Sequence, residues 1–312
     1  MAAILVIKHG ALGDFVLATG AFQAIRRHHR NDAVTLLTTA PYAALARASG
    51  YFDDVWVDPR ARLTQVARWL GLARRLRRTR FARVYDLQHS DRSHAYYRLM
   101  GRPEWSGIAP GCSHPHANPD RDRLHTLERE AEQLAMAGIA VVPPPDVSWA
   151  RADIAAFALP PAYALLVPGG SAHRPEKRWP AARYAALARA LAGRGIAPVL
   201  IGAAAERAVL AEIARAAPGA CDLGGRTDLF QVTELARGAR LAVGNDTGPM
   251  HLIAVAGCPS LVLFSGASDP ALTRPRGPRV AVLRAPDLGD LAAEAAMAAV
   301  ENLLRPPRPS AG

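Results

Sequence analysis

Short apolar runs alternate with amphipathic stretches along most of the chain. The first run, Ala3 to Ile7, is followed by strand-like segments at 34–37, 54–57, 83–87 and 105–108. Between them, apolar residues recur at helical spacing over 15–29, 63–78 and 91–100. Alternation of this kind predicts βαβ units built on a parallel sheet.

The same alternation resumes after a break near the middle of the chain. The break, Val142-Pro143-Pro144-Pro145-Asp146, fits neither period and is typical of a linker. Beyond it, strand-like runs occupy 163–167, 198–201, 241–243 and 260–264, and helical spacing covers 181–192, 206–217, 229–237 and 250–256. The chain has 312 residues, enough for two cores. We therefore predict two Rossmann-like, doubly wound α/β domains, residues 1–150 and 151–312, which face across a cleft and bind ligands at the carboxyl ends of their strands.

The composition restricts the possible partners. The formal charge is +11 and comes almost entirely from arginine. Such a charge favours nucleic acid, an acidic membrane leaflet or a phosphorylated substrate, although biased codon usage explains an arginine-rich chain equally well. Aromatic residues make up 6% of the chain and are not interleaved with the basic run. That arrangement argues against a nucleic-acid-binding protein.

Cysteine usage and hydropathy indicate the compartment. The chain has three widely spaced cysteines without CxxC spacing, Cys112, Cys221 and Cys258, which favours a reducing cytoplasm over disulfides or structural zinc. No run reaches the roughly 18 apolar residues that span a bilayer. Lys8 and Asp14 interrupt the apolar N-terminus, unlike a secretory signal. We expect a protein that is soluble or lies on a membrane surface.

The first turn carries a carboxylate where such turns normally bind an anion. This turn, Gly10-Ala11-Leu12-Gly13-Asp14, joins a strand to a helix start, whose free N–H groups and dipole favour negative charge. Asp14 would repel a phosphate placed there. Two interpretations stay open: Asp14 is a base, or it caps its own helix.

A second turn has the composition of a diphosphate site. Residues 168–180, PGGSAHRPEKRWP, contain two glycines that allow close backbone approach and a hydroxyl at Ser171. Lys177 and Arg178 add positive charge at the start of the next helix. The spacing is not that of a Walker A loop. A solvent loop before a helix that starts near Pro180 fits the stretch as well.

A third turn, NDTGPMH at 245–251, follows a buried strand and begins an apolar helix. The helix start presents N–H groups above the strand ends, with Thr247 and Gly248 in its first turn and His251 one turn later. We also expect Asp246 or Thr247 to cap this helix. Glu206 follows the strand at 198–201, where a carboxylate often binds ribose hydroxyls or stabilises a helix dipole.

Together, GALGD, PGGSAHRPEKRWP, GAAAE and NDTGPMH resemble motifs of the ADP-heptose:lipopolysaccharide heptosyltransferases, which form glycosyltransferase family 9 and have the GT-B fold. The resemblance covers about residues 3–304 and includes VYDLQ at 84–88 and HTLER at 125–129. This chain departs from the family pattern in two places. Ser171-Ala172 stands where some members have paired threonines, and Pro249-Met250 replaces the more usual pair before the histidine.

The resemblance implies inverting, metal-independent transfer of a heptose or related sugar from an ADP-sugar to a hydroxyl of a lipopolysaccharide inner-core acceptor. Asp14 would match the general base, in an acceptor-binding N-terminal domain. The C-terminal domain would bind the donor through residues that match the family's donor motifs: Ser171, Lys177, Glu206, Asp246, Thr247, Gly248 and His251. Candidate contacts to the acceptor are Lys8, Gly13 and Arg92. The donor region shows no DxD-type motif, and neither a metal nor another cofactor is expected.

The implied acceptor is an acidic, lipid-linked sugar, so transient contact with the anionic inner leaflet is a further expectation. Residues 68–83 are rich in arginine, and one side of this stretch and the residues just before it is apolar: Leu63, Val66, Leu70, Ala73 and Leu76. This pattern fits an amphipathic helix on anionic headgroups or an ordinary solvated helix that packs on protein. The expected location is cytoplasmic, or peripheral at the cytoplasmic face of the inner membrane.

Two alternative functions remain open. A family member could glycosylate another surface polysaccharide or a protein. A GT-B-like sugar-nucleotide epimerase would share the architecture but would need no acceptor. The sequence leaves the oligomeric state open.

Overall fold

The computed structural model describes residues 1–60, 66–170 and 173–305. Contacts divide the chain into two compact units, Met1–Trp149 and Ala150–Gly312. Each unit contains a six-stranded sheet with flanking helices. The two units are therefore separate α/β domains, named here the first and the second domain.

The first domain alternates strands and helices from its N-terminus. Its elements are β1 (Ala3–Ile7), α1 (Leu12–Leu17), α2 (Thr19–His28), β2 (Ala33–Thr39), α3 (Ala40–Ala48), β3 (Asp54–Asp58), α4 (Val66–Arg78), β4 (Arg83–Asp86), α5 (Asp91–Leu99), β5 (Trp105–Gly107), β6 (His114–Pro115) and α6 (Thr126–Met136).

The second domain repeats this alternation. Its elements are β7 (Tyr163–Val167), α7 (Ala181–Ala192), β8 (Ala197–Leu200), α8 (Arg207–Ala216), β9 (Cys221–Asp222), α9 (Leu229–Gly238), β10 (Leu241–Asn245), α10 (Gly248–Val255), β11 (Ser260–Phe264), α11 (Pro270–Thr273), β12 (Val280–Arg284) and α12 (Ala293–Leu304).

The two sheets have the same topology. The strand order is β3-β2-β1-β4-β5-β6 in the first and, read from the opposite edge, β9-β8-β7-β10-β11-β12 in the second. All pairings between the described strands are parallel. In this arrangement the order reverses between β1 and β4 and between β7 and β10, and ligands of doubly wound sheets bind at such switch points.

The central strands are buried and mostly apolar because helices cover both faces of a parallel sheet. All five residues of β7, β10 and β11 are buried, as are the last four of β1. Large aromatic side chains complete the cores, with Trp105 in the first domain and Trp179 in the second, each at most 1% exposed. The register pairs Ile7 with Asp86 and Val167 with Gly244, so the turns that follow these residues are neighbours.

The helix predicted over 15–29 is two helices in the structure, α1 and α2, which meet at Ala18. The Thr19 hydroxyl donates to the Val16 carbonyl at 2.7 Å and accepts the Asp146 N–H at 3.0 Å. A Cβ on Gly20 would lie 2.1 Å from the Pro143 carbonyl oxygen. The predicted linker therefore has no regular secondary structure, as expected, but it packs closely on α2.

The arginine-rich helix differs in part from the prediction. Ala73 and Leu76 are buried as expected, but Leu70 is 39% exposed and Leu72 is buried instead. Leu63, the predicted helical residues before 66 and the side chain of Val66 lie outside what the structure describes. The sequence pattern also missed the helices α3, α6, α11 and α12 and the edge strands β6, β9 and β12.

The cysteines are all free, as predicted. Within residues 1–60, 66–170 and 173–305, no helix combines the length and hydrophobicity needed to cross a membrane.

Candidate active site

A pocket of about 210 Å³ lies at the switch point of the first domain. Its lining comes from the turns after β1, β4 and β5, from the segment before α6 and from α6 itself. Its charged or titratable lining residues are Lys8, Asp14, His89, Arg121, Asp122 and Arg129. The pocket is therefore strongly polar and contains more cations than anions.

Gly10 determines the path of the chain beside this pocket. Its φ is +108°, and a Cβ at this position would lie 2.3 Å from the ring of Tyr42. No side chain fits there, so the turn can pack directly on Tyr42. Tyr42 in turn stacks on Phe15 with ring centroids 5.2 Å apart. These contacts fix the start of α1 and with it the position of Asp14.

Asp14 does not cap its helix, so that interpretation is wrong. Ala11 occupies the N-cap position, no side chain caps α1, and Asp14 is the third helical residue. Its carboxylate forms no hydrogen bond or ion pair with any described residue. Asp14 is thus a partly buried, unpaired carboxylate in a polar pocket.

Lys8 reaches the pocket lining, but its ammonium group is already paired. Lys8 is 4% exposed. Its Nζ donates to Glu130 Oε1 at 2.7 Å and to the Leu87 carbonyl at 2.9 Å. Glu130, on α6, is 2% exposed. The predicted contact between Lys8 and an acceptor therefore competes with a buried ion pair.

Arg92 is not among the residues that line this pocket. Its guanidinium binds the Asp58 carboxylate with two hydrogen bonds of 2.6 Å. Tyr96 donates to the same carboxylate at 2.5 Å. Burial alone would raise the pKa of Asp58, but these hydrogen bonds hold it below its ordinary value. Asp58, which the sequence analysis missed, orders the end of β3.

Two arginines that were not predicted as site residues, Arg121 and Arg129, border the pocket instead. Arg129 forms no ion pair with any described residue, and Arg121 lies 3.5 Å from the exposed carboxylate of Asp122. Arg129 ends the HTLER stretch at 125–129, but no role was assigned to it there, and nothing in the sequence distinguishes Arg121 from the many other arginines. Gly13, the remaining predicted acceptor contact, is buried within α1.

In the second domain, Asn245 organises the turns at the switch point. This side chain is fully buried at the end of β10. Its amide donates to the carbonyls of Pro168 and Gly169, and its oxygen accepts from the Trp179 N–H and the Tyr184 hydroxyl. One side chain thus connects both ends of the predicted diphosphate turn. The signal for this residue in the sequence is an amide directly after a run of buried apolar residues.

Glu206 lies against the same turn. Its carboxylate accepts the Gly170 N–H at 2.8 Å and the Ala203 N–H at 2.7 Å. A Cβ on Gly169 would lie 1.8 Å from Glu206 Oε1, so this approach requires glycine. Glu206 therefore joins the turns after β7 and β8, whichever ligand it contacts.

Lys177 and Asp246, two residues of the predicted donor site, form an ion pair. Lys177 Nζ lies 2.7 Å from Asp246 Oδ2. Because Asp246 binds Lys177, it does not cap α10, and Thr247 occupies the N-cap position without a side-chain cap. The expected capping is therefore wrong. Gly248 starts α10, and the N-terminus without a side-chain cap retains the anion-binding character of a helix start.

The structure does not test the donor-site role that the sequence predicts for two further residues, Ser171 and His251. Ser171 lies outside the described residues. His251 is buried in α10, with 6% of its surface exposed. Its contact with a ligand stays a prediction.

Two histidines beside the pocket have strongly altered acidity. Burial lowers the pKa of His9 to about 4 and that of His89 to about 3. The cations Lys8 and Arg121 add to the effect at His89. The His89 ring lies 2.5 Å from the Gln133 side-chain oxygen. Both rings are neutral at pH 7.

The fold and these sites define a class. Two parallel sheets of the same order, each with charged groups at its switch point, are characteristic of two-domain α/β proteins that bind ligands at strand ends. The chain belongs to glycosyltransferase family 9 (heptosyltransferase), whose family model matches residues 69–300.

Individual relatives agree with this assignment. Lipooligosaccharide heptosyltransferase 2 of Haemophilus influenzae is 33% identical over 120 residues, which are 37% of this chain and 34% of that protein. The match thus spans about a third of the length of this curated relative.

Solved structures match over nearly the whole chain. ADP-heptose lps heptosyltransferase II of E. coli has a TM-score of 0.79 and 21% identity over 97% of this chain and 98% of that one. The family 9 glycosyl transferase from Veillonella parvula has a TM-score of 0.83 and 19% identity over 97% of both chains. This likeness confirms the predicted fold class of two doubly wound α/β domains.

The pKa shifts of the two histidines predict that the first domain loses stability in mild acid. Below about pH 6.5 the unfolded histidines bind protons that the folded ones do not, so the free energy of unfolding falls as the pH drops from 6.5 towards 4. His89→Gln cannot be protonated and should reduce this fall. Urea unfolding of the full chain at several pH values measures it, with the exposed His173→Asn as control. An identical pH dependence in His89→Gln and wild type would contradict the prediction.

Proposed function

We propose that this chain is an inverting, metal-independent glycosyltransferase that moves a heptose or related sugar from an ADP-sugar to a hydroxyl of a lipopolysaccharide inner-core acceptor. The proposal assigns the acceptor and the general base to the first domain and the donor to the second. It rests on membership of family 9 together with the geometry at the two switch points.

The observation that carries the proposal is the unpaired carboxylate of Asp14. A general base must be free to accept a proton within hydrogen-bond reach of its substrate. Asp14 meets the first condition, because no described residue binds it, and its pocket offers room for an acceptor hydroxyl. As the hydroxyl oxygen attacks the anomeric carbon, Asp14 takes its proton. The bond to the diphosphate breaks on the opposite side of the sugar, which inverts the configuration.

The pocket also suits an acidic acceptor. Arg121 and Arg129 border the same space as Asp14. Planar guanidinium groups bind carboxylates and phosphates with paired hydrogen bonds. We therefore propose that these two arginines hold the acidic group of the acceptor, while Lys8 and Arg92 keep their buried carboxylate partners.

The second domain supplies groups for a departing diphosphate. Charge that develops on the leaving group is stabilised by fixed dipoles and cations. Lys177, the N-terminus of α10 at Gly248 and the turn held by Asn245 provide both kinds of group. In this proposal Glu206 contacts the ribose, and Asp246 holds Lys177 in place.

The base role predicts that Asp14→Asn abolishes transfer while donor binding persists. A positioned base contributes about 10²–10⁴-fold, so turnover should fall by at least about a hundredfold. Transfer from ADP-heptose to a deacylated inner-core acceptor measures turnover, and calorimetry with ADP measures donor binding. Asp120→Asn, 64% exposed, should retain wild-type turnover. Undiminished transfer by Asp14→Asn would contradict the base role, and conversion of ADP-heptose without acceptor would favour an epimerase.

The donor assignment predicts selective stabilisation by ADP. At a hundredfold excess over its Kd, a ligand stabilises the folded protein by about 2.7 kcal/mol. ADP should therefore raise the melting temperature, and GDP and UDP should not. Lys177→Met should remove most of the ADP effect, whereas Arg194→Met, which loses a surface pair with Glu301, should not. A shift with UDP or GDP alone contradicts the ADP assignment.

A membrane location is also proposed, on the surface around α4. Trp69 and Leu70 are 37% and 39% exposed, and Val57 nearby is 37% exposed. Arg74, Arg77 and Arg78 on the same helix are exposed. Apolar side chains next to arginines suit the interface of an anionic leaflet, where each arginine contributes about 1 kcal/mol.

This surface predicts binding to vesicles that contain phosphatidylglycerol and little binding to pure phosphatidylcholine. Cosedimentation measures the bound fraction. The double variant Trp69→Ser with Leu70→Ser should weaken binding, and raised salt should weaken it in the wild type. Met136→Ser, which removes an exposed apolar side chain elsewhere, serves as control. Equal binding by the double variant and wild type would exclude this surface.

A further inference from the structure

The chain has two lysines, Lys8 and Lys177, among its 38 basic residues. Each lies after the first strand of its domain, and each has a carboxylate oxygen 2.7 Å from its Nζ. Lys177 belongs to the proposed donor site. Lys8 and its partner Glu130 have no role in the reaction as described above.

The Lys8–Glu130 pair lies directly behind the pocket of Asp14. Both side chains are at most 5% exposed, although Lys8 contributes to the pocket lining. Glu130 Oε1 accepts from Lys8, and Glu130 Oε2 is buried without a hydrogen-bond partner. The pair is therefore not optimised for hydrogen bonding.

A buried ion pair of this kind contributes little to the stability of the folded protein. Removing two charges from water costs free energy that their attraction often fails to recover, particularly when a carboxylate oxygen stays unsatisfied. An apolar pair of similar volume would serve the core as well. The location of the pair beside the only unpaired pocket carboxylate among the described residues suggests an electrostatic role.

We propose that Glu130 is a positioning residue that binds Lys8 and so keeps the carboxylate of Asp14 unpaired and basic. Without the Glu130 anion, the Lys8 ammonium would take Asp14 as its partner. Asp14 would then be a weaker base, held away from the acceptor. This inference rests on the proposed function of Asp14.

The charged groups around Asp14 support an electrostatic role for Glu130. The negative charge of Asp14 adds to the rise that burial produces in the pKa of Glu130, so the two carboxylates interact. Asp122, the other pocket carboxylate, is 80% exposed and lies near Arg121. The titratable groups that face Asp14 from the surrounding elements are Lys8, Tyr42, His89, Arg121, Asp122, Arg129 and Glu130.

The test is a direct titration of Asp14 in the full chain. Carbon-13 NMR of labelled aspartate carboxyl groups follows its ionisation, and the signal is the one that Asp14→Asn lacks. In Glu130→Gln the uncompensated Lys8 should lower the pKa of Asp14 by about one unit, as a nearby opposite charge does. In Lys8→Met the pKa should move upward by a similar amount. Because the two variants should shift the pKa of Asp14 in opposite directions, each one tests the proposal by itself if the other fails to fold.

Two further variants separate an electrostatic from a purely structural role. The double variant Lys8→Met with Glu130→Gln removes both charges and should return the pKa of Asp14 close to its wild-type value. Glu132→Gln makes the same change two residues away on α6, where the carboxylate pairs with His116, and should leave Asp14 unaffected. An unchanged Asp14 titration in Glu130→Gln or Lys8→Met overturns the proposal.

Kinetics distinguish this inference from the proposed function. The acid limb of kcat/KM against pH should move down with the pKa of Asp14 in Glu130→Gln, and the plateau should fall several-fold because a weaker base transfers the proton less readily. If Asp14→Asn keeps full turnover, the base role fails while the NMR result stands. If Asp14→Asn is inactive but neither the limb nor the NMR titration moves in Glu130→Gln, the positioning role alone fails.

Discussion

Both candidate sites depend on the reversal of strand order beside the first strand of each parallel sheet. Chains that leave β1 and β4 turn to opposite faces of the sheet, and so do those that leave β7 and β10, which opens space between neighbouring turns. The pocket of Asp14 occupies the first opening. In the second opening, hydrogen bonds of Asn245 and Lys177 connect the neighbouring turns. Neither site could form at the middle of a sheet whose connections all lie on one side.

The two openings differ in how their charges are balanced. In the second domain the cation and the anion at the switch point, Lys177 and Asp246, bind each other. In the first domain the lysine is bound from behind by Glu130, and the carboxylate in front is left free. A site that receives an anion needs an oriented cation, whereas a site that removes a proton needs an unoccupied carboxylate. The arrangement of partners therefore matches the different roles proposed for the two domains.

The sequence predicted the architecture well and the site only in outline. The bounds of Tyr163–Val167, Ser260–Phe264 and Ala181–Ala192 were correct to the residue, because buried strands and amphipathic helices have local periodicity. Capping at α10 was predicted wrongly because Asp246 binds Lys177, 69 residues away in the chain. The partner of Lys8 is 122 residues away. A local sequence pattern does not reveal contacts between residues so far apart in the chain. These ion pairs are therefore visible only in the folded structure.

Charges of both signs surround the carboxylate of Asp14. Asp14 lies in the first turn of α1, where the helix dipole is positive, and the cations Arg121 and Arg129 border the same pocket. The buried Glu130 opposes this by neutralising Lys8. In the proposed reaction, an acidic acceptor bound to the two arginines would neutralise their charge as well. The Asp14 carboxylate would then face fewer uncompensated cations with its substrate bound than in the empty pocket, and the charge of the substrate would become part of the balance around the proposed base.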